Sequence, residues 1–309
     1  MVATVKTTGK RLQALSHGVS CCPEYSTYRG DVDIMLDTIF VIILGIIQGI
    51  TEWLPISSTG HLIIVEEFMN FQVSDEFMEM FRVVIQLGSI IAVIVLFFEK
   101  LNPFSPKKSA EEKKSTIALW LKVAVASIPA AIIGLLLDDW IDEHFFNPYT
   151  VAAMLIFYGV LFIIVENKRK GIRPHITNLS QLTFQTALMI GGFQVLALIP
   201  GTSRSGATII GALIIGTARG VAAEFSFFMA IPVMFGASLL KLRSFGLSFT
   251  AMEAFLLILG SAVAFIVSLF VIRFLMAFVK RNSFKVFGYY RIVLGIILLL
   301  FFGIRAFIA

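Results

Sequence analysis

The chain has 309 residues, of which 58% are hydrophobic and 15% charged, with a formal net charge of +5. A soluble domain carries about 25% charged residues, so an ordinary soluble protein is excluded, and runs such as "AFLLILGSAVAFIVSLFVI" approach the ~20 apolar residues that a bilayer-crossing helix needs. The basic excess collects in particular loops and is no nucleic-acid signature, the 30 phenylalanines suit lipid-facing and packing surfaces without a cofactor, and the adjacent Cys21 and Cys22 have neither a CxxC nor a metal-ligand spacing.

In chain order, residues 1–34 come first. They are polar, hold Lys6, Lys10, Arg11 and Arg29, and contain no apolar core of signal-peptide type. Met35 is followed at once by "LDTIFVIILGIIQGI". The stretch reads as a disordered extension or a mis-assigned start, with a cytosolic tail as the competing reading. Residues 35–309 then form a single all-α, polytopic membrane domain. The apolar segments predict helices at about 36–53, 61–71, 78–98, 116–137, 149–166, 181–199, 206–217, 221–242, 251–279 and 286–307. Two of them, 61–71 and 206–217, are too short to span. Each follows a polar break, "PISSTG" at 55–60 and "PGTSRSG" at 200–206. Such a pair predicts re-entrant hairpins, because irregular backbone survives at membrane depth only when buried in protein or lining a cavity.

The loops predict an orientation. Residues 99–114 hold five lysines, and 166–175 and 280–285 are also basic, which places all three in the cytoplasm. The acidic stretches 74–79 and 138–144 are then external loops. Followed through, each half has one hairpin and three spans in opposite orientations, with 35–175 and 176–309 as two inverted repeats. Lys241 and Arg243 fit poorly, near an external end. "GIIQGITEWLPISSTG" at 45–60 aligns with "GGFQVLALIPGTSRSG" at 191–206 with a one-residue shift. Inverted repeats with broken helices place a site where the breaks meet near the midplane.

The first break supplies Gln48, Glu52, Ser57, Ser58, Thr59 and His61, and the second Thr202, Ser203, Arg204, Ser205, Gly206 and Thr208. Gln48 and Glu52 are four apart and share a helix face. Free N–H groups at half-helix N-termini attract anions, and an arginine fork suits phosphate. Intramembrane charges are costly and mark function by default. Each residue also has a plainer reading: the hydroxyls as structural hydrogen-bonders, Glu52 as a partner for Arg204, and His61 as a helix cap. Glu224 and Gln86 read as solvated helix ends, and His17, His144 and His175 as loop residues. Two classes remain on pattern alone, a transporter or flippase for a phosphate compound and an intramembrane enzyme acting on a phosphorylated lipid.

"QGITEWLPISSTGH" at 48–61 and "PGTSRSGAT" at 200–208 closely resemble the two signature motifs of the undecaprenyl-diphosphate phosphatases, the bacitracin-resistance family. The resemblance runs from about Met35 to the C-terminus. It implies a multi-pass enzyme of the bacterial plasma membrane with its active site open to the outer face. Such an enzyme hydrolyses undecaprenyl diphosphate to undecaprenyl phosphate and inorganic phosphate, and so recycles the lipid carrier of peptidoglycan synthesis. It implies a divalent cation, Mg²⁺ or Ca²⁺, with Glu52 and Gln48 as metal residues, although Gln48 stands where many members have a glutamate. It also implies catalytic roles for Glu52, Ser58, His61 and Arg204, with Ser58 as nucleophile or as a phosphate-positioning group beside an attacking water. Gln48, Ser57, Thr59, Thr202, Ser203, Ser205, Gly206 and Thr208 are the expected substrate-binding residues. Expected partners are the prenyl diphosphate and membrane lipid, with a homodimer allowed and nucleic acid excluded.

Overall fold

The computed structural model describes residues 31–69, 73–246 and 249–308, and regular structure among them is helical apart from one isolated bridge between Ile176 and Thr217. The sequence-predicted extension lies outside the described residues up to position 30. Residues 31–34 open the first helix, α1 (Asp31–Thr51), which therefore starts earlier than predicted. After a turn over 52–57 come α2 (Ser58–Glu67), α3 (Asp75–Val84), α4 (Gln86–Leu96), α5 (Phe98–Leu101), α6 (Ala110–Phe145) and α7 (Pro148–Lys168). The second half runs through α8 (Phe184–Val195), a 3₁₀ turn, α9 (Arg204–Ile215), α10 (Arg219–Phe245), α11 (Ala251–Phe278) and α12 (Lys285–Ile308).

Seven stretches among the described residues are long and apolar enough to cross a membrane: within α1, α3–α4, α6, α7, α10, α11 and α12. Their large exposed hydrophobics, such as Leu135, Ile258 and Phe270, are what a lipid-facing surface requires. By length α1 also qualifies as a span, whereas α8 does not. The polar turn after each, and the short helix that packs back on it, make α1–α2 and α8–α9 the two hairpins.

Small residues bring these helices together, as membrane packing demands in the absence of a hydrophobic driving force between helices. On α1, a Cβ at Gly45 would come within 2.9 Å of the Gly260 carbonyl of α11, and one at Gly49 within 2.7 Å of Val267. Gly191 of α8 lies likewise against the Ala126 backbone of α6. α7 and α12 meet at Gly159 and Gly288, where a Cβ on either would come within 2.7 Å of the other's carbonyl oxygen.

Three predicted loops are helical in whole or in part. The acidic stretch 74–79 opens α3 behind an N-cap at Ser74, whose side chain accepts from Phe77 N. The acidic stretch 138–144 belongs to α6, and so does the end of the basic stretch 99–114. Ser109 and Glu112 form a reciprocal cap, with Ser109 N donating to Glu112 Oε2 at 2.7 Å and Glu112 N to Ser109 Oγ at 3.2 Å. That capping box starts the helix in water, and the Ala, Glu and Lys that follow propagate it. At 36 residues α6 is roughly 54 Å long, well beyond a bilayer's hydrocarbon core.

The basic segments gather at one end. Phe284 N donates to Glu166 Oε1 at 2.9 Å, Arg219 grips the same carboxylate, and Lys100 pairs with Glu224 at 2.5 Å. Glu224 is therefore an ion-pair partner, not a solvated helix end. Lys241, the misfit near the opposite end, is neutralised by Glu79 of α3.

Candidate active site

The turn after α1 and the turn before α9 meet in the interior. Glu52 and Arg204 form the joint: Arg204 Nη2 donates to Glu52 Oε1 at 3.1 Å, with 8% and 12% of the two side chains exposed. Breaking such a buried pair from one side costs about 3–5 kcal/mol. Arg204 Nη1 donates to the Ser226 carbonyl of α10 at 2.8 Å, and its guanidinium carbon lies 5.8 Å from the Trp53 ring centroid. Ser205 Oγ reaches back to the Glu52 carbonyl at 3.2 Å. The other oxygen of Glu52 accepts from Gln48 Nε2 at 3.0 Å, the i, i+4 relation that the spacing predicts. A carboxylate only accepts, so the Gln48 amide is oriented, and its Oε1 points elsewhere. That oxygen is buried without a hydrogen-bond partner, as are Ser57 Oγ, Thr202 Oγ1 and Arg204 Nε.

The short helices begin in the same unusual way. Ser57 and Ser203, with φ of 72° and 70°, are the only non-glycine residues of positive φ among the described residues, and each is the N-cap of its helix. Such backbone costs ~1–3 kcal/mol and clusters at functional sites. The helices therefore start earlier than predicted: Ser58 and Thr59 lie in the first turn of α2, and Arg204 and Ser205 in that of α9. The caps then differ. Ser203 Oγ accepts from Gly206 N at 3.2 Å, whereas the Ser57 side chain caps nothing. The α2 N-terminus thus keeps its first-turn N–H groups available for an anion. Thr208, an expected binding residue, turns inward instead, with Oγ1 donating to the Arg204 carbonyl at 2.9 Å and lying 2.7 Å from Ser226 Oγ.

His61 is bonded on both nitrogens, Nδ1 to the Ser57 carbonyl and Nε2 to Tyr290 Oη, each at 2.7 Å. No hydrogen bond joins it to Ser58. The serine and histidine share one helix but do not form an assembled nucleophile–base pair.

Four residues of the site escaped sequence reasoning: Trp53, Ser226, Tyr290 and Arg291. Arg291 is fully buried and donates to the carbonyls of Pro55 at 3.3 Å, Gly201 at 2.9 Å and Thr202 at 2.8 Å, binding both motif turns to α12. It also explains Gly206, where a Cβ would come within 2.8 Å of Arg291 Nη1. A charge inside the apolar run 286–307 was the available signal. The two turns are alike in backbone but not in chemistry. By the alignment, Leu198 and Ala207 stand where the first turn has Glu52 and His61, so one turn brings acid and imidazole and the other brings the cation.

Among known proteins, the profile of the family described as "Bacitracin resistance protein BacA" matches residues 41–297. The protein named "Undecaprenyl-diphosphatase" from Acetivibrio thermocellus is 62% identical over 268 residues, 87% of this chain and 98% of that protein. Proteins of the same name from Enterococcus faecalis, 61% identical over 84% of this chain and 95% of their own length, and from Streptococcus thermophilus, 53% identical over 88% and 95%, are similar in the same way.

Proposed function

The chain belongs to the bacitracin resistance protein BacA family, and we infer from this premise that it is an undecaprenyl-diphosphatase, a multi-pass membrane hydrolase that releases inorganic phosphate from undecaprenyl diphosphate. The observation that carries the geometric part is the Glu52–Arg204 joint, which sets an acid and a cation between two helix N-termini inside an apolar domain. A diphosphate headgroup needs such a place, and its prenyl chain needs the lipid beside it. This favours the hydrolase over the transporter reading, since a pure anion carrier gains nothing from a carboxylate and an imidazole at its binding point.

In this reading Arg204 and the first-turn N–H groups of α2 hold the phosphate oxygens and stabilise the charge that builds in an in-line displacement. Ser58 and Thr59, partly exposed in that turn, present hydroxyls to the same oxygens. Ser58 serves as a phosphate ligand, with water attacking, because no base is bonded to its hydroxyl. His61 is the proton acceptor or donor.

A divalent cation, Mg²⁺ or Ca²⁺, fits this oxygen set: the Glu52 carboxylate and the unpartnered Gln48 Oε1 would hold it. The described residues contain no group of three acidic, histidine or cysteine ligands, so the cation would share its coordination with the substrate's phosphates, as Mg²⁺ commonly does. When bound it supplies further neutralisation of phosphate charge.

The like caps at Ser57 and Ser203 and the matched packing of α1 on α11 and α8 on α6 support two inverted repeats. The positive-inside rule puts the basic end in the cytoplasm, and membership of the family implies a site that opens toward the outer face. The deciding experiment is phosphate release from farnesyl or undecaprenyl diphosphate by the purified chain, with and without Mg²⁺ or Ca²⁺. Release lost in both Glu52→Ala and Arg204→Ala is expected. A folded protein that binds the lipid and releases no phosphate would return the reading to a carrier.

A further inference from the structure

Tyr290 and Arg291 are neighbours on α12, yet their side chains serve different parts of the site. Arg291 is fixed by carbonyls of both motif turns and of Met154 and Leu155 on α7. The backbone that carries Tyr290 is thereby tied to the turns, and α12 is held again on α7 at Gly288. From that fixed base the Tyr290 ring stacks on His61, with centroids 5.6 Å apart and planes within 5°.

The hydrogen bonds define the imidazole's state. The Ser57 carbonyl can only accept, so Nδ1, 2.7 Å away, carries a hydrogen. In the neutral ring Nε2 is then an acceptor, and Tyr290 Oη at 2.7 Å is its donor. Arg291 is the charged group that acts on His61 from α12. α7, which also packs on α2, presents the aliphatic Val151 and Leu155 at Gly60. Glu52, at the end of α1, is occupied by Gln48 and Arg204.

We propose that Tyr290 is a positioning residue for the hydrolysis: its hydroxyl bond to Nε2 acts with the Ser57 carbonyl on Nδ1 to hold His61 neutral, in the Nδ1–H tautomer, with the acceptor nitrogen directed away from the Ser57 turn. A hydrogen bond donated to the neutral ring favours that form, and it fixes the direction in which the acceptor nitrogen points. The inference rests on the phosphatase reading.

The test is Tyr290→Phe in the full chain, which keeps the stacked ring and removes only the hydroxyl. The expected result is about a tenfold or greater fall in kcat with KM little changed, the scale of a mis-set acid–base group. The acid limb of the kcat–pH profile should also move to higher pH, because an imidazole without its donor takes up a proton more readily. In a His61→Ala background the same change should add nothing. Wild-type kcat with an unmoved acid limb, or a full additional loss in the His61→Ala background, would overturn the proposal. Nitrogen-15 spectra of histidine-labelled protein read the tautomer without turnover. A signal set that Tyr290→Phe leaves unchanged would also overturn it, whereas absent turnover with the Nδ1–H tautomer intact would count against the phosphatase reading alone.

Discussion

Arg204 is held at both ends of its fork, one nitrogen on Glu52 and the other on the Ser226 carbonyl, with the Trp53 ring beside it. A lysine keeps the charge but offers one nitrogen where two acceptors must be met. Arg204→Lys is therefore expected to lower kcat/KM almost as far as Arg204→Ala, by about 100-fold or more, the scale of a lost preorganised donor. Steady-state kinetics of the two variants check this, and a lysine variant near wild type would count against use of the planar fork. Glu52 shows how one contact can carry both a structural role and the proposed one: it is Arg204's partner, and in the proposed function that partnership sets a carboxylate beside the phosphate.

At the scale of elements, the two short helices share a backbone device and differ in what it does. Ser203 caps α9 through Gly206 N, while Ser57 leaves α2 uncapped. Loss of an N-cap costs about 1 kcal/mol. Ser203→Ala should accordingly lower the thermal unfolding midpoint measurably, and Ser57→Ala should leave it nearly unchanged while raising KM for the diphosphate. A melt and a Michaelis curve on each variant separate the two roles. An equal loss of stability at both positions would mean that Ser57 supports α2 as well. The difference has a physical reason: an N-terminus whose donors are spent on its own cap has fewer to offer an anion.

For the whole molecule, the ion pairs Glu166–Arg219 and Lys100–Glu224 and the Phe284–Glu166 bond draw the basic segments to one end. Single cysteines at Lys170 and Asn282, in a chain whose Cys21 and Cys22 are replaced by serine, should be shielded from a membrane-impermeant thiol reagent in intact cells. One at Asn147 should react. Labelling at Lys170 and Asn147 from the same side would refute the proposed orientation. The site lies between these ends: Met154 and Leu155, which accept from Arg291, lie inside α7 (Pro148–Lys168), nearer its N-terminal end. Burial there lets a few charges and helix ends act without competition from water.

Amino-acid order by itself determined the class, most of the helical segments, the polar breaks of the two hairpins and the residues at their turns, although the stretch 78–98, which reads as one helix, is divided among α3, α4 and α5. These properties are local: apolar length, polar breaks and i, i+4 spacing need no knowledge of a partner. The same local logic fails at 74–79, at 138–144 and at the end of 99–114, where charge reads as a loop although helices extend past the apolar run and are capped by Ser74 and Ser109. Only the tertiary structure decided that Arg291 ties both turns, that Tyr290 and not Ser58 holds His61, that Ser226 receives Arg204, and that Glu79 neutralises Lys241. A lone polar residue in an apolar helix signals that it must be satisfied. What satisfies it depends on which faces of distant helices meet, and here backbone contact at Gly159 and Gly288 sets the pairing of α7 with α12.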